Sequence, residues 1–301
     1  MSLNTMVSTA KKLTLESITE ELTKLPSVPD VILKLSQMLE NPDVTADELG
    51  QVIQLDPQLT AQMLRASNSA YYALPREISS MKEAVAILGQ KALKAQVYAI
   101  LSHKMLNRQI AGYGLAKGDL WNSALTGAVY AKKIATLYDF KESDTAFTVA
   151  VLRDIGKLIL HEYVGDVFKD LEAQALESKQ GFDEAERQLL GFSHSELGEV
   201  IGKKWNFPER MIYAIRYHHK PSDMKEKVSD DVYQLLGIVH LADALCMMLG
   251  HGMGNDGLLY AIDLDYLNAH GFNIDANTLQ ELMLHLHACQ GEVKTLNESI
   301  K

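Results

Sequence analysis

The sequence predicts an all-α protein, and three observations carry that prediction. Apolar residues recur at three- and four-residue spacing almost throughout the chain. No long run alternates apolar with polar residues, as a half-buried strand would. Helix-start signals also recur: Thr45 with Glu48, Ser80 with Glu83, Asp183 with Glu186 and Ser193 with Glu196 pair a capping residue with an acid three places on, and Asp56-Pro57 sets a capping carboxylate before a first-turn proline.

Taken in order, Leu13 to Leu25 is a helix stopped by Pro26, and Asp30 to Glu40 is a second, with Val31, Leu35, Met38 and Leu39 on its apolar face. Ala46 to Leu55 and Pro57 to about Asn68 follow from their caps. A helix from Ser80 ends near Gly89, and a longer one runs from Gln90 to about Arg108. Gly112-Tyr113-Gly114 and Lys117-Gly118 form the best internal boundary. A helix from Asp119 to Tyr138 precedes the central one, Thr145 to His161. Asp166 to Lys179 and a short helix capped by Asp183 come next, then one from His194 to Trp205. Pro208 opens a helix ending at His218-His219 before Pro221. Val232 to Leu249 is long and apolar, a short helix and turn lie between Asp263 and Phe272, and Thr278 to Leu296 is the last helix. This divides the chain into 1–112, 113–250 and 251–301.

Bulk properties narrow the function. The chain has 301 residues, enough for a sizeable core. Its net charge of -10 argues against broad contact with a phosphate backbone, so nucleic acid is not expected as a partner. No apolar run reads as long enough to cross a bilayer, and MSLNTMVSTAKKL lacks the apolar core of a signal peptide. Two cysteines make a disulfide framework unexpected and fit a reducing cytoplasm. No phosphate-cradling glycine loop, CxxC or GxSxG is present.

The stretch Val149 to Leu160, VAVLRDIGKLIL, holds the chemistry. Its apolar residues cover most of the helix circumference, yet Arg153 and Asp154 sit in the middle and need partners. Asp243 shares an apolar helix face with Leu236, His240 and Met247, so it too needs a cation. His194 begins one helix and His218-His219 ends another. Histidines and carboxylates drawn from separate helices are how a transition-metal site is assembled in an all-α protein. Plainer readings stand beside this one: His194 as a first-turn residue, His218-His219 as a helix close favoured by the dipole, and His240 as a core histidine bonded to a neighbour.

RDIGKL, GFSHSELG, IRYHH and VHLADAL, in that order, resemble the HD superfamily of helical metal-dependent phosphohydrolases. LPSVPDVILKL, NPDVTADELGQVIQLDPQLTAQMLRASNSAYYAL and ISSMKEAVAILG narrow the resemblance to HDOD domains, the HD-related output domains of bacterial signalling proteins. The likeness covers roughly Leu22 to Leu249. It implies a helical N-terminal bundle packed on an HD-like bundle. It also implies that a first histidine ligand would fall at or near Asn122, that Arg153-Asp154 stands for the His-Asp pair, that Asp243 is the downstream ligand, and that His194 with His218 or His219 matches the extra histidines of two-metal members. Arg cannot ligate a metal, because its guanidinium stays protonated. We therefore expect Arg153 to replace the ion as the fixed cation, pairing with Asp243 and Asp154, and no catalysis or cofactor. The expected function is a cytoplasmic signal-transduction module whose partner is a kinase, cyclase or phosphodiesterase component. The alternative is a phosphohydrolase acting on a nucleotide or cyclic dinucleotide, with weakly bound Fe, Zn or Mn. The oligomeric state is left open.

Overall fold

The computed structural model describes residues 44–165, 168–178, 181–251 and 261–300, together with 34, 35, 38 and 41. Among these residues the regular structure is helical, save one isolated bridge between Ile110 and Leu115. The predicted helix Leu13 to Leu25 lies outside the described residues. Of Asp30 to Glu40, Lys34, Leu35 and Met38 are described, and they are helical.

Helices α1 (Ala46–Gln54) and α2 (Pro57–Ser67) begin where their caps predict. Thr45 and Glu48 form the reciprocal capping box, and Asp56 accepts from the backbone N–H of Gln58 and Leu59. α3 (Met81–Leu106) is interrupted at Gly89, whose φ of 82° only glycine adopts without strain. α4 (Asp119–Leu137) is buried along nearly its whole length and packs on α5 (Ser143–Leu152).

The central helix departs from expectation. It is two helices, α5 and α6 (Lys157–Val164), joined by a tight turn at 153–156. Arg153 and Asp154 therefore lie in a buried turn rather than mid-helix. The cause is tertiary. The turn presses on a neighbouring helix so closely that a Cβ on Gly156 would sit 1.8 Å from the His194 carbonyl oxygen. Arg153 meanwhile donates from Nη1 to the Ala150 carbonyl, 2.8 Å away, satisfying one acceptor at the end of α5.

α7 (Phe168–Ser178) and α8 (Phe182–Leu190) lead to α9 (His194–Lys204), which starts at His194 behind the Ser193–Glu196 capping box. The expected cap of α8 by Asp183 and Glu186 does not form: Gly181 is the N-cap, and Glu186 points into the core. α10 (Glu209–Tyr217) ends just before His218-His219, and α11 (Asp230–Cys246) carries His240 and Asp243. With the turn that follows it, α11 spans Asp230–His251. Contrary to the sequence reading, these 22 residues are long and apolar enough to cross a bilayer, but 72% of that stretch's apolar window is buried in the fold. Packing against α4 and α5 accounts for its composition.

α12 (Leu264–Ala269) occupies the expected position. The predicted final helix breaks at Cys289 into α13 (Ala276–Ala288) and α14 (Gln290–Ile300). α14 folds back on α2 and α4: Trp121 Nε1 donates to Asn297 Oδ1 at 2.8 Å, and Gln62 reaches the Ile300 carbonyl. One hydrophobic core runs from Leu49 and Met63 through Val151 and Leu236 to Leu296, so the N-terminal, HD-like and C-terminal helices share it.

Candidate functional site

The turn between α5 and α6 delivers three charges to one buried place. Arg153, Asp154 and Lys157 are each no more than 2% exposed. Arg153 Nε lies 2.6 Å from Asp243 Oδ1 and 3.3 Å from Asp154 Oδ2. The guanidinium rests flat on α4 at Gly127, where a Cβ would stand 2.5 Å from Nη1. Its Nη2 reaches Ser123 Oγ at 3.3 Å. Asp154 Oδ1 faces Lys157 Nζ at 3.0 Å, and that ammonium also stands over the Tyr113 ring.

Burial alone would raise both carboxylic acids. Lys157 and then Arg153 outweigh it at Asp154, and Arg153 outweighs it at Asp243, so both are held below the ordinary carboxylate range. Burial also works against the Arg153 charge, but Asp243 and Asp154 more than offset it. The result is a fixed salt-bridge network, with Arg153 only 1% exposed.

Three histidines close the other side. The first residue of α9 places His194 at Asp154, Nε2 to Oδ1 3.5 Å. His194 Nδ1 and its backbone N–H both meet Glu186 Oε2, at 2.7 and 2.8 Å, and Tyr113 donates to Glu186 Oε1 at 2.6 Å. His219 lies between His194 and Asp243: its Nε2 is 2.9 Å from His194 Nε2 and its Nδ1 is 3.3 Å from Asp243 Oδ2. His218 Nδ1 meets the Ile215 carbonyl at 2.8 Å. Burial lowers the His194 pKa, but Glu186 more than restores it and the net shift is upward. For His218, burial and then His219 drive it well down.

The structure thus gathers Arg153, Asp154, His194, His218, His219 and Asp243. It leaves out Asn122, which is exposed and accepts from Asn297. The side chain of α4 that hydrogen-bonds the guanidinium is Ser123, one step and about 100° further round the helix than Asn122. His240 stands apart, its Nδ1 on the His218 carbonyl and its Nε2 accepting from the Asp263 N–H, so it is fully used as a core histidine. Lys157 and Glu186 were missed by the sequence reading. Glu186 carried a signal, since it falls between Phe182 and Leu190 at four-residue spacing, on the buried face of α8.

A sequence profile of the HDOD domain matches residues 25–221. The chain is an HDOD protein. The match stops before α11, so Asp243 comes from beyond the matched segment. An HDOD domain protein of unknown function from Geobacter sulfurreducens shares the fold with a TM-score of 0.70 at 24% identity, covering 95% of this chain and 99% of that one. A Shewanella amazonensis SB2B protein, provisionally named a phosphohydrolase, superposes with a TM-score of 0.71 at 21% identity over 94% and 98% of the two chains. A Marinobacter aquaeolei VT8 protein, provisionally named for signal transduction, does so at 0.68 and 20% over 99% and 64%. An uncharacterized protein of Treponema pallidum (strain Nichols) is 23% identical over 218 residues, 71% of this chain, and the match spans 42% of that relative's length.

The superfamily implies a metal, and the two sides of this HDOD cluster differ in their fit to one. The Arg153 side does not fit: a permanent cation already holds Asp243 and one oxygen of Asp154. On the other side His194, His218, His219 and Asp154 bring four ligand atoms within 4.8 Å of one another.

Proposed function

We propose that this HDOD protein is a regulatory module that performs no hydrolysis and acts by binding another signalling protein, a kinase, cyclase or phosphodiesterase component. The observation that supports it is the Arg153 guanidinium, buried and hydrogen-bonded to Asp243 and the Ala150 carbonyl, in the place that the resemblance gives to the histidine of the His-Asp pair. Metal-assisted hydrolysis needs an open coordination position beside an activated water. Here that side of the centre is filled by a side chain that neither ligates nor leaves. The division into residues 1–112, 113–250 and 251–301 is part of the proposal, the last segment bracing the first two through α14.

The test is turnover. Purified protein loaded in turn with Zn2+, Mn2+ and Fe2+ is assayed against nucleotides, cyclic dinucleotides and a generic phosphodiester, and no hydrolysis above the protein-free rate is expected. Hydrolysis that Asp154→Ala abolishes would establish the phosphohydrolase reading instead. Crosslinking in cells should then recover a signalling enzyme whose rate changes when the purified chain is added back.

A further inference from the structure

Between α13 and α14 the chain bends at one residue, Cys289, and nothing in the local sequence asks for the bend. From Leu282 through Leu286, Cys289, Val293 and Leu296 to Ile300, apolar residues recur at alternating four- and three-residue spacing straight across it. No proline stands at the joint, and no residue from 288 to 292 has a positive φ. Cys289 has φ −79° and ψ 0°, so a rotation of about 40° in ψ makes it helical. Straightening would also let the N–H groups at the start of α14 pair with the last carbonyls of α13, which a break leaves without partners in the helix. Local preference thus favours one continuous helix. The bend comes from the docking of α14 on α2 and α4, with Gln290 Nε2 2.8 Å from His251 Nε2 at the joint.

The seat of α14 must be filled, yet α14 fills it loosely. Trp121, 1% exposed, donates from its indole to Asn297 Oδ1, and Leu296 and Ile300 are buried in the core. An empty seat would strand that indole N–H and bare the apolar contacts. The polar fit is incomplete. Gln62 reaches the Ile300 carbonyl only at 3.5 Å, and among the described residues its Oε1 and Ser69 Oγ are buried without hydrogen-bond partners. A groove of about 650 Å³ lies between α14 and α2, lined by Arg65, Ser69, Thr295, Glu298 and Ser299. Such a polar, gapped seam separates more readily than a packed apolar one.

We propose that the seat on α2 and α4 is a self-association surface whose partner is a second copy of this chain, the two copies exchanging α14. In the exchanged dimer α13 and α14 form one helix in each chain. Each α14 makes on the other copy the contacts it now makes at home: Asn297 on the indole, Leu296 and Ile300 in the core. The contacts of the seat are the same in both forms, so the difference is confined to the joint and to concentration. There the Gln290–His251 contact is given up for backbone hydrogen bonds. The sequence shown to fit the seat is α14 itself, and a second copy brings that sequence with it. This goes beyond the regulatory reading and does not depend on it.

The experiment uses the full chain, with Asn122→Cys in one preparation and Asn297→Cys in another. These two side chains meet at 3.1 Å, while the native thiols of Cys246 and Cys289 are buried. The preparations are mixed at high concentration and treated with a short bis-maleimide. A double variant carrying both cysteines, held dilute, gives the reference for a link within one chain. The expected results are a covalent heterodimer from the mixture and from neither preparation alone, and a light-scattering mass that moves from one chain to two as concentration rises. A mass of one chain at every concentration overturns the proposal. So does a dimer whose mixture yields no heterodimer while the double variant links within one chain. Should the double variant fail to react, Gln290→Ala decides. Removing the contact that holds the bend should raise the dimer association constant at least about fivefold, and an unchanged constant overturns the proposal.

Discussion

Arg153→Met removes the charge at the centre of the cluster while keeping much of the bulk. Asp243 Oδ1 loses its donor at 2.6 Å, while the other carboxylate oxygen keeps His219 Nδ1 at 3.3 Å. Asp154 keeps Lys157 at 3.0 Å. The loss therefore falls on Asp243, a carboxylate 3% exposed. Breaking one partner out of a buried pair costs about 3–5 kcal/mol. With an unfolding entropy of about 2.1 cal/mol/K per residue over this length, that lowers Tm by about 5–8 °C. The pH dependence identifies the cause. In the wild type Arg153 overrides burial and holds Asp243 below its unfolded pKa. Such a group stabilises the fold above that unfolded value, about 3.9, and the stabilisation fades as pH falls through the depressed folded value. In the variant burial is opposed by His219 and His218 without Arg153, the folded pKa rises, and protonation stabilises the fold. The stability gap, read from urea unfolding, should be widest near pH 7 and narrow as pH drops below about 5. Adding Asp243→Asn to Arg153→Met should recover most of the loss. A loss under about 1 kcal/mol, or a gap constant between pH 7 and pH 4, would refute the claim that the ion pair is buried and fixed.

Other expectations follow from the same contacts. Gly127→Ala puts a Cβ 2.5 Å from Arg153 Nη1 and should cost about 1–3 kcal/mol in urea unfolding, most of it absent in the Arg153→Met background. Gly156→Ala meets backbone rather than a side-chain end, at 1.8 Å from the His194 carbonyl, so folded protein should fail to accumulate. Glu186→Gln in metal-free protein should lower the His194 titration midpoint seen by NMR. Because Glu186 raises the folded value, the stability lost is greatest at acid pH and disappears as pH rises through that value.

What the sequence disclosed and what it hid divide along a physical line. Signals confined to a few residues were legible: Thr45 with Glu48, Asp56-Pro57 and Ser193 with Glu196 start helices where expected, because a cap is satisfied within its own turn. The need of Arg153 and Asp243 for partners was legible too, from charges placed among apolar residues. The break in the central helix was not. No proline marks 153–156, and the periodicity runs on across it. It comes from contact between Gly156 and the carbonyl of His194, 38 residues on in the sequence, rather than from any local preference. The break at Cys289 is likewise absent from the apolar spacing. Glu186 looked like one more first-turn acid, because the capping pattern with Asp183 competes with its burial, and only the packing of α8 on α9 decides between them.

Asn122 lies outside the cluster and the next residue, Ser123, lies in it, and that difference yields a sharp test. Motif order places a ligand position only to within a residue, but one residue on a helix is about 100°, the difference between solvent and core. Asn122 is exposed beside Asn297, whereas Ser123 is 3% exposed and bonded to Arg153. If the missing half of an HD-type centre lies where Arg153 now sits, replacing both Arg153 and Ser123 with histidine should turn two imidazoles toward Asp154 and Asp243. The metal content of the full chain should then rise by one equivalent over the wild type. Arg153→His with Asn122→His supplies the same two side chains but turns one of them outward, and should gain none. Elemental analysis of both double variants decides it. An equal gain in the two would mean that α4 does not present Ser123 to the cluster, and a gain confined to the Asn122 variant would restore the position read from the motif.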